Sequence, residues 1–127
     1  MTWIFRLIAL SFIAPAIYHA VGLVRPELTE PAPASRHAVF VGVNLAVGLG
    51  FLLRPRWFVF AFAALVAQQL YSHGTIGWHV WQHEARVDWP SVIVLVTMPP
   101  LLGLLAWDAG RRGGALPGPG DRAPAKS

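Results

Sequence analysis

The chain has 127 residues, of which 55% are hydrophobic and only 13% are charged, so it is more apolar than a typical soluble domain and a lipid bilayer is its natural solvent. It contains no cysteine, which excludes disulfides, thiolate metal sites, iron–sulfur clusters and thiol redox chemistry. The formal net charge is +4, but the basic residues are scattered at the ends of apolar segments and form no basic stripe, so we expect no nucleic-acid partner.

Four apolar stretches along the chain predict four membrane-spanning helices. The predicted spans are residues 3–24, 37–53, 57–73 and 91–107. The shortest have 17 residues, near the lower limit for a helix that crosses a hydrocarbon layer of ~30 Å. The second and third spans are separated only by "RPR", which is typical of a tight helix hairpin at a membrane surface. The predicted fold is all-α, an integral membrane four-helix bundle with up-down topology.

The segments outside these spans carry three further expectations. The first span resembles a secretory signal with a cleavage site at "APA" (14–16), but its apolar pattern continues beyond that point, so we expect it to be retained. Residues 75–88 predict a short interfacial or re-entrant helix between the third and fourth spans. Residues 109–127 are rich in Gly, Pro and charge and predict a disordered tail.

The basic residues and the tryptophans predict the orientation in the membrane. With four spans, one side carries Arg6, Arg54, Arg56, Arg111, Arg112, Arg122 and Lys126, while the other carries Arg25, Arg36 and Arg86. The positive-inside rule therefore places both termini in the cytoplasm. Trp3, Trp57 and Trp107 lie at the cytoplasmic ends, and Trp78, Trp81 and Trp89 lie near the outer surface, as aromatic belts require.

Small residues and prolines predict where the helices touch or bend. Gly42, Ala46 and Gly50 recur every fourth residue and predict a close helix contact along the second span. Pro15 in the first span, and Pro99 and Pro100 in the fourth, remove backbone donors, so we expect kinks at both places.

Polar residues form stripes that run toward the outer ends of the first three spans, and polar groups at membrane depth usually face a bundle interior or a watery cavity. All five histidines fall on the outer half of this topology. The primary candidate ligands are His19, His37 and His73, and the secondary ones are His79 and His83. Asn44 and Gln69 lie on the same stripes and are candidates for cofactor binding, with interhelical hydrogen bonding as their alternative role.

Imidazole is the commonest protein ligand for metals and also serves as a haem axial ligand or a proton carrier. The stretch "HVWQH" places His79 and His83 four residues apart, which puts both rings on one face of a helix where they can share one ion. The candidate ligands are copper, zinc, haem or a quinone headgroup. The alternative is that histidine and tryptophan here are simply amphipathic residues at the headgroup layer.

The segment "FRLIAL", the outer loop with prolines, the glycine-rich span ending in "GFLLRPR" and the alanine-rich third span together resemble the DoxX-like group of small four-helix membrane proteins. The resemblance covers the first three spans. It implies a bacterial inner membrane and a redox partner, because one member of that group is a subunit linked to quinone-dependent sulfur oxidation. It transfers no catalytic residue to this chain.

The leading hypothesis is a histidine-lined site at the outer end of the bundle that binds a metal ion, a haem or a quinone. Such a protein belongs in a larger redox or metal-handling assembly, with partner subunits or as a homo-oligomer. Two other classes stay open: a non-catalytic accessory subunit of a membrane complex, and a small oligomeric transporter whose polar stripes line its path.

Overall fold

The computed structural model describes residues 2–29 and 32–113, and these residues form helices and connecting turns with no strand. The helices are α1 (Thr2–Ser11), α2 (Ile13–Val24), α3 (Ala34–Leu53), α4 (Phe58–Glu84) and α5 (Trp89–Gly113). The chain divides into an N-terminal unit that ends at Phe58 and a C-terminal unit that begins at Val59.

A break at Phe12 divides the predicted first span into α1 and α2. Pro15 explains it, since proline has no N–H to donate to the carbonyl of Ser11 and its ring collides with that carbonyl. The backbone makes a 3₁₀-type hydrogen bond here, in which the N–H of Phe12 donates to the carbonyl of Ala9 over 3.3 Å. The regular helix is therefore interrupted one turn before the proline, whereas α5 continues without a break through Pro99 and Pro100, where a kink was also predicted.

Four phenylalanines form the core of the N-terminal unit. Phe51 is fully buried, and it stacks on Phe5 and Phe12 with ring centroids 6.4 and 5.8 Å away. Phe58 packs edge-on against the same ring at 5.5 Å. Aromatic pairs in these geometries add about 0.5–1.5 kcal/mol each beyond their buried area, so this cluster fixes α1 and α2 against α3.

The α1–α2 segment runs antiparallel to α3. Ala9 faces Gly48 at one level, and Gly22 faces His37 at another, so residue numbers rise on one segment as they fall on the other. A Cβ at Gly48 would lie 3.1 Å from the carbonyl oxygen of Ala9, which shows how closely the two backbones approach.

The close helix contact predicted along Gly42, Ala46 and Gly50 of α3 is wrong for most of its length. Gly42 and Ala46 are exposed, and a Cβ at Gly42 would meet nothing within 4 Å. Only Gly50 makes the expected close contact, where a Cβ would collide with the ring of Phe58. A four-residue spacing identifies one face of a helix but does not say whether a partner covers that face.

A short connection between α2 and α3 contains one 3₁₀ turn, Pro26–Leu28. Arg25 Nε donates to Glu27 Oε1, and this hydrogen bond from a guanidinium holds the pKa of the exposed Glu27 carboxyl below its usual value.

The turn predicted around "RPR" is confirmed, because α3 ends at Leu53 and α4 begins at Phe58. The separate helix or re-entrant turn predicted at 75–88 is wrong. One continuous helix, α4, runs for 27 residues to Glu84 and ends at Ala85, whose φ of 49° lies in the left-handed region. Gly74 and Gly77 lie within this helix, since a single glycine lowers helix stability by only about 1 kcal/mol relative to alanine.

In the C-terminal unit, α4 and α5 meet near the turn that joins them, where Gly77 lies against the side chain of Ser91. α5 continues to Gly113, so residues 109–113, expected in the tail, are helical instead. The ion pair of Asp108 with Arg112 at 2.8 Å, four residues apart, supports this last turn. The rest of the predicted tail lies outside the described residues.

Within residues 2–29 and 32–113, three helical segments are long and apolar enough to cross a membrane: Thr2–Val24, Ala34–Leu53 and Trp89–Gly113. α4 is not among them, although residues 57–73 were predicted to span. It is apolar only from Phe58 to Ala67 and becomes polar from Gln68 onward.

Candidate functional site

Two of the predicted histidines form a directly bonded pair in the N-terminal unit. His19 on α2 and His37 on α3 approach with their Nδ1 atoms 3.0 Å apart and their ring centroids 5.3 Å apart. Two imidazole nitrogens at this distance share one proton, so one Nδ1 donates while the other accepts. We call this arrangement the histidine pair.

The His37 side of the pair is sealed inside the protein. His37 is 1% exposed, and its Nε2 atom has no hydrogen-bond partner among the described residues. The ring lies flat on Gly22, because a Cβ there would be 2.6–2.9 Å from three ring atoms. Buried polar atoms are nearly always paired, and an unpaired one costs about 1–3 kcal/mol, so this nitrogen calls for a functional explanation.

The His19 side of the pair reaches the surface. His19 is half-buried and stacks on Phe40 at 5.0 Å with an interplanar angle of 20°. Tyr18, 42% exposed, meets the His19 ring edge-on at 5.3 Å, and the guanidinium of Arg36 lies 5.9 Å from the Phe40 ring. These four residues, Tyr18, His19, Arg36 and Phe40, form an aromatic and cationic surface that we call the imidazole patch.

A third predicted histidine lies in a different arrangement, in the C-terminal unit. His73 Nδ1 is 3.0 Å from Ser91 Oγ, and Ser91 donates its hydroxyl hydrogen to Asp88 Oδ2. Ser91 is 1% exposed. A hydroxyl has one hydrogen, and a carboxylate can only accept, so His73 Nδ1 must donate to the Ser91 oxygen. Neutral His73 therefore carries its proton on Nδ1 and leaves Nε2 with a lone pair.

This chain of hydrogen bonds makes a prediction about His73. We expect ¹⁵N NMR of the protein at neutral pH to show His73 in the Nδ1–H tautomer, which is the minor form of free imidazole. Ser91→Ala removes the acceptor and should return His73 to the common Nε2–H form. Ser72→Ala, which changes a hydroxyl on the same helix outside this chain, should leave the tautomer unchanged. An Nε2–H tautomer in the wild-type protein would contradict the arrangement.

The remaining two histidines are exposed at the end of α4. The rings of His79 and His83 stack with centroids 4.1 Å apart, as their spacing predicts. His83 Nδ1 donates to the backbone carbonyl of His79 over 2.9 Å, so one of its nitrogens is engaged by the helix itself.

The two predicted amide ligands lie outside these sites. Asn44 Nδ2 donates to the carbonyl of Phe40 on its own helix, two turns from His37 along α3. Gln69 is buried and its Nε2 donates to Gln68 Oε1. Neither amide contacts an imidazole through any of these bonds.

Histidines therefore come together only two at a time in the described residues: His19 with His37, and His79 with His83. No group of three or more His, Cys, Asp or Glu side chains that could hold a metal forms within 2–29 and 32–113. The sequence analysis missed Gly22 and Ser91, which place His37 and His73. A signal existed for the second, since "DWPS" has an acidic cap and a proline that are typical of a helix start and so bring Asp88 next to Ser91.

Comparison of the chain with protein-family models, curated proteins and solved structures finds no match.

Proposed function

We propose that the chain is a multi-pass protein of the bacterial inner membrane with both termini in the cytoplasm. Three helices long and apolar enough to cross support it. Large side chains along them face outward, among them Leu7, Ile17, Leu45 and Val96, each more than half exposed, which suits lipid as the surrounding solvent. In this proposal α4 is the fourth span, since its 27 residues extend about 40 Å and its polar end emerges from the bilayer.

Within that membrane we infer that the histidine pair binds a quinone headgroup. The observation that carries this proposal is the buried, unpaired Nε2 of His37 joined through His19 to a lipid-facing surface. An apolar ligand with hydrogen-bonding oxygens reaches such a site from the lipid. The ring of His19 supplies a hydrogen-bonding group, and Tyr18 and Phe40 supply flat surfaces beside it.

The geometry favours quinone over the other ligands considered. A zinc or copper site normally uses three or four protein ligands, and the pair is not part of any group of three His, Cys, Asp or Glu side chains that could hold a metal in the described part of the chain. A haem axial ligand needs one imidazole nitrogen facing an open pocket, whereas the His37 ring is closed off by Gly22 and His19. A quinone needs only one or two hydrogen bonds at a lipid-facing edge.

The pair also suits the proton chemistry of such a ligand. Quinones take up protons on reduction and release them on oxidation, and two bonded imidazoles can pass a proton between a surface nitrogen and a buried one. Electron exchange with the quinone requires a redox partner, so we propose that the chain works as a subunit beside an electron-transfer protein. The resemblance to the DoxX-like group implies the same kind of partner.

The test is quinone binding by the purified protein. We expect decylubiquinone to bind the wild-type protein in detergent, measured by calorimetry, and endogenous quinone to appear in solvent extracts. His19→Ala should weaken binding about tenfold, the equivalent of one hydrogen bond of about 1.4 kcal/mol. His83→Ala, which removes an exposed imidazole outside the pair, is the matched control. A Soret band, or stoichiometric copper or zinc lost in His19→Ala, would replace quinone with that ligand. A protein that binds none of these and copurifies with other subunits would favour the accessory role.

A further inference from the structure

An apolar groove with a volume of about 390 Å³ runs along the N-terminal unit, away from the histidine pair. Its walls come from α1, the start of α2 and the second half of α3. Its lining is Arg6, Ala9, Leu10, Phe12, Ile13, Asn44, Leu45, Gly48, Leu49 and Leu52. Its volume lies in the range of about 300–1,000 Å³ that is usual for small-molecule sites.

The groove exists because small residues line its floor. Gly48 has no side chain, and a Cβ there would already lie 3.1 Å from the Ala9 carbonyl oxygen. Its sides are lined by leucines that are more than half exposed, among them Leu10, Leu45 and Leu49. The groove is therefore a channel for a slender apolar chain.

The end of the groove that carries Arg6 is positively charged. Arg6 is exposed and has no hydrogen bond or ion pair with any described residue. A second guanidinium, that of Arg54, lies 4.9 Å from the ring centroid of Phe5, the residue before Arg6. Glu27, the one acidic residue within 2–29 and 32–58, lies beyond α2 at the opposite end of the unit.

We propose that this groove binds an anionic phospholipid, with the phosphate at Arg6 and one acyl chain along the leucines. The groove extends from Arg6 to Ile13, about 10 Å of helix rise, and its charge lies at one end only. A phospholipid has the same polarity, a charged head followed by an apolar tail. Arginine is also well suited to a phosphate, since its planar guanidinium can donate two parallel hydrogen bonds.

Charge also disfavours a second copy of the chain as the occupant. Two copies inserted in the same orientation are related by a two-fold axis along the bilayer normal, so a symmetric dimer through this groove would place both Arg6 side chains at the same depth, where like charges repel. The proposal depends on the membrane insertion proposed above but not on quinone binding.

Native mass spectrometry of the full chain in detergent tests this proposal. We expect palmitoyl-oleoyl phosphatidylglycerol to bind at least five-fold more tightly than phosphatidylcholine with the same chains. Arg6→Gln should lower the affinity for phosphatidylglycerol about five-fold, the share of one arginine near a membrane surface. Leu49→Trp should fill the groove and weaken both lipids, while millimolar inorganic phosphate should displace neither.

Two matched variants serve as controls. Arg86→Gln removes the same charge elsewhere, and Leu53→Trp adds the same bulk to an exposed α3 position outside the groove lining. Neither should change lipid binding. Equal binding of both lipids by the wild-type protein would overturn the proposal, as would equal losses in Arg6→Gln and Arg86→Gln, or a dimer that retains no lipid. His19→Ala should keep the lipid preference while binding quinone about tenfold more weakly, so failure of one proposal is distinguishable from failure of the other.

Discussion

Gly50→Ala is expected to destabilise the protein by about 1–3 kcal/mol, although alanine is the better helix former. A Cβ at this position would collide with three ring atoms of Phe58. That ring is 5% exposed and is held edge-on against Phe51, which in turn stacks on Phe5 and Phe12. The ring can move away only by disturbing the whole aromatic core, because close-packed interiors leave no room for an extra methyl group.

The measurement is SDS-induced unfolding in mixed micelles, followed by far-ultraviolet circular dichroism. Gly42→Ala is the matched control, since it makes the same change on the same helix where a Cβ would meet nothing within 4 Å. It should be neutral or stabilise by up to ~1 kcal/mol. Adding Phe58→Leu to Gly50→Ala should recover part of the loss, because the smaller side chain removes the collision. Equal stability of the two alanine variants would show that the Gly50 contact is not tight.

His37→Leu is expected to weaken quinone binding up to about tenfold, no more than His19→Ala does, while leaving the free energy of unfolding unchanged or raising it by about 1 kcal/mol. The substitution removes one hydrogen bond to His19, worth about 1 kcal/mol, and also removes a buried nitrogen without a partner, which costs about 1–3 kcal/mol. The second effect is the larger. A histidine kept for ligand binding is expected to reduce stability in this way, whereas a histidine kept for packing is not.

Calorimetric titration with decylubiquinone and SDS unfolding of the same preparation measure the two effects. We expect binding to fall up to about tenfold, since the proton-sharing partner of His19 and the fixed orientation of its ring are lost while the His19 ring itself remains. His79→Leu removes an exposed imidazole outside the pair and should change neither quantity by much. Strong destabilisation of His37→Leu with quinone affinity intact would assign His37 a structural role instead.

Part of the fold and one contact of the candidate site could be predicted from the sequence. The spacing of apolar residues predicted helices at all the observed places, and the position of Pro15 predicted the break near Phe12. Histidines on α2 and α3 were predicted to come together, and His19 and His37 do. His73 was predicted to join a common pocket, but its bonded partners are a serine and an aspartate that the histidine pattern gives no reason to choose.

The sequence by itself determined the helical class and the apolar lengths of three segments, because these depend on composition and on periodicity along a single helix. Tertiary structure alone decided which glycines touch a neighbour, which histidine is sealed and which is exposed, and where a groove opens beside Arg6. Those properties depend on the rotation and separation of two packed helices. Helix packing sets both through many small contacts that no local pattern records.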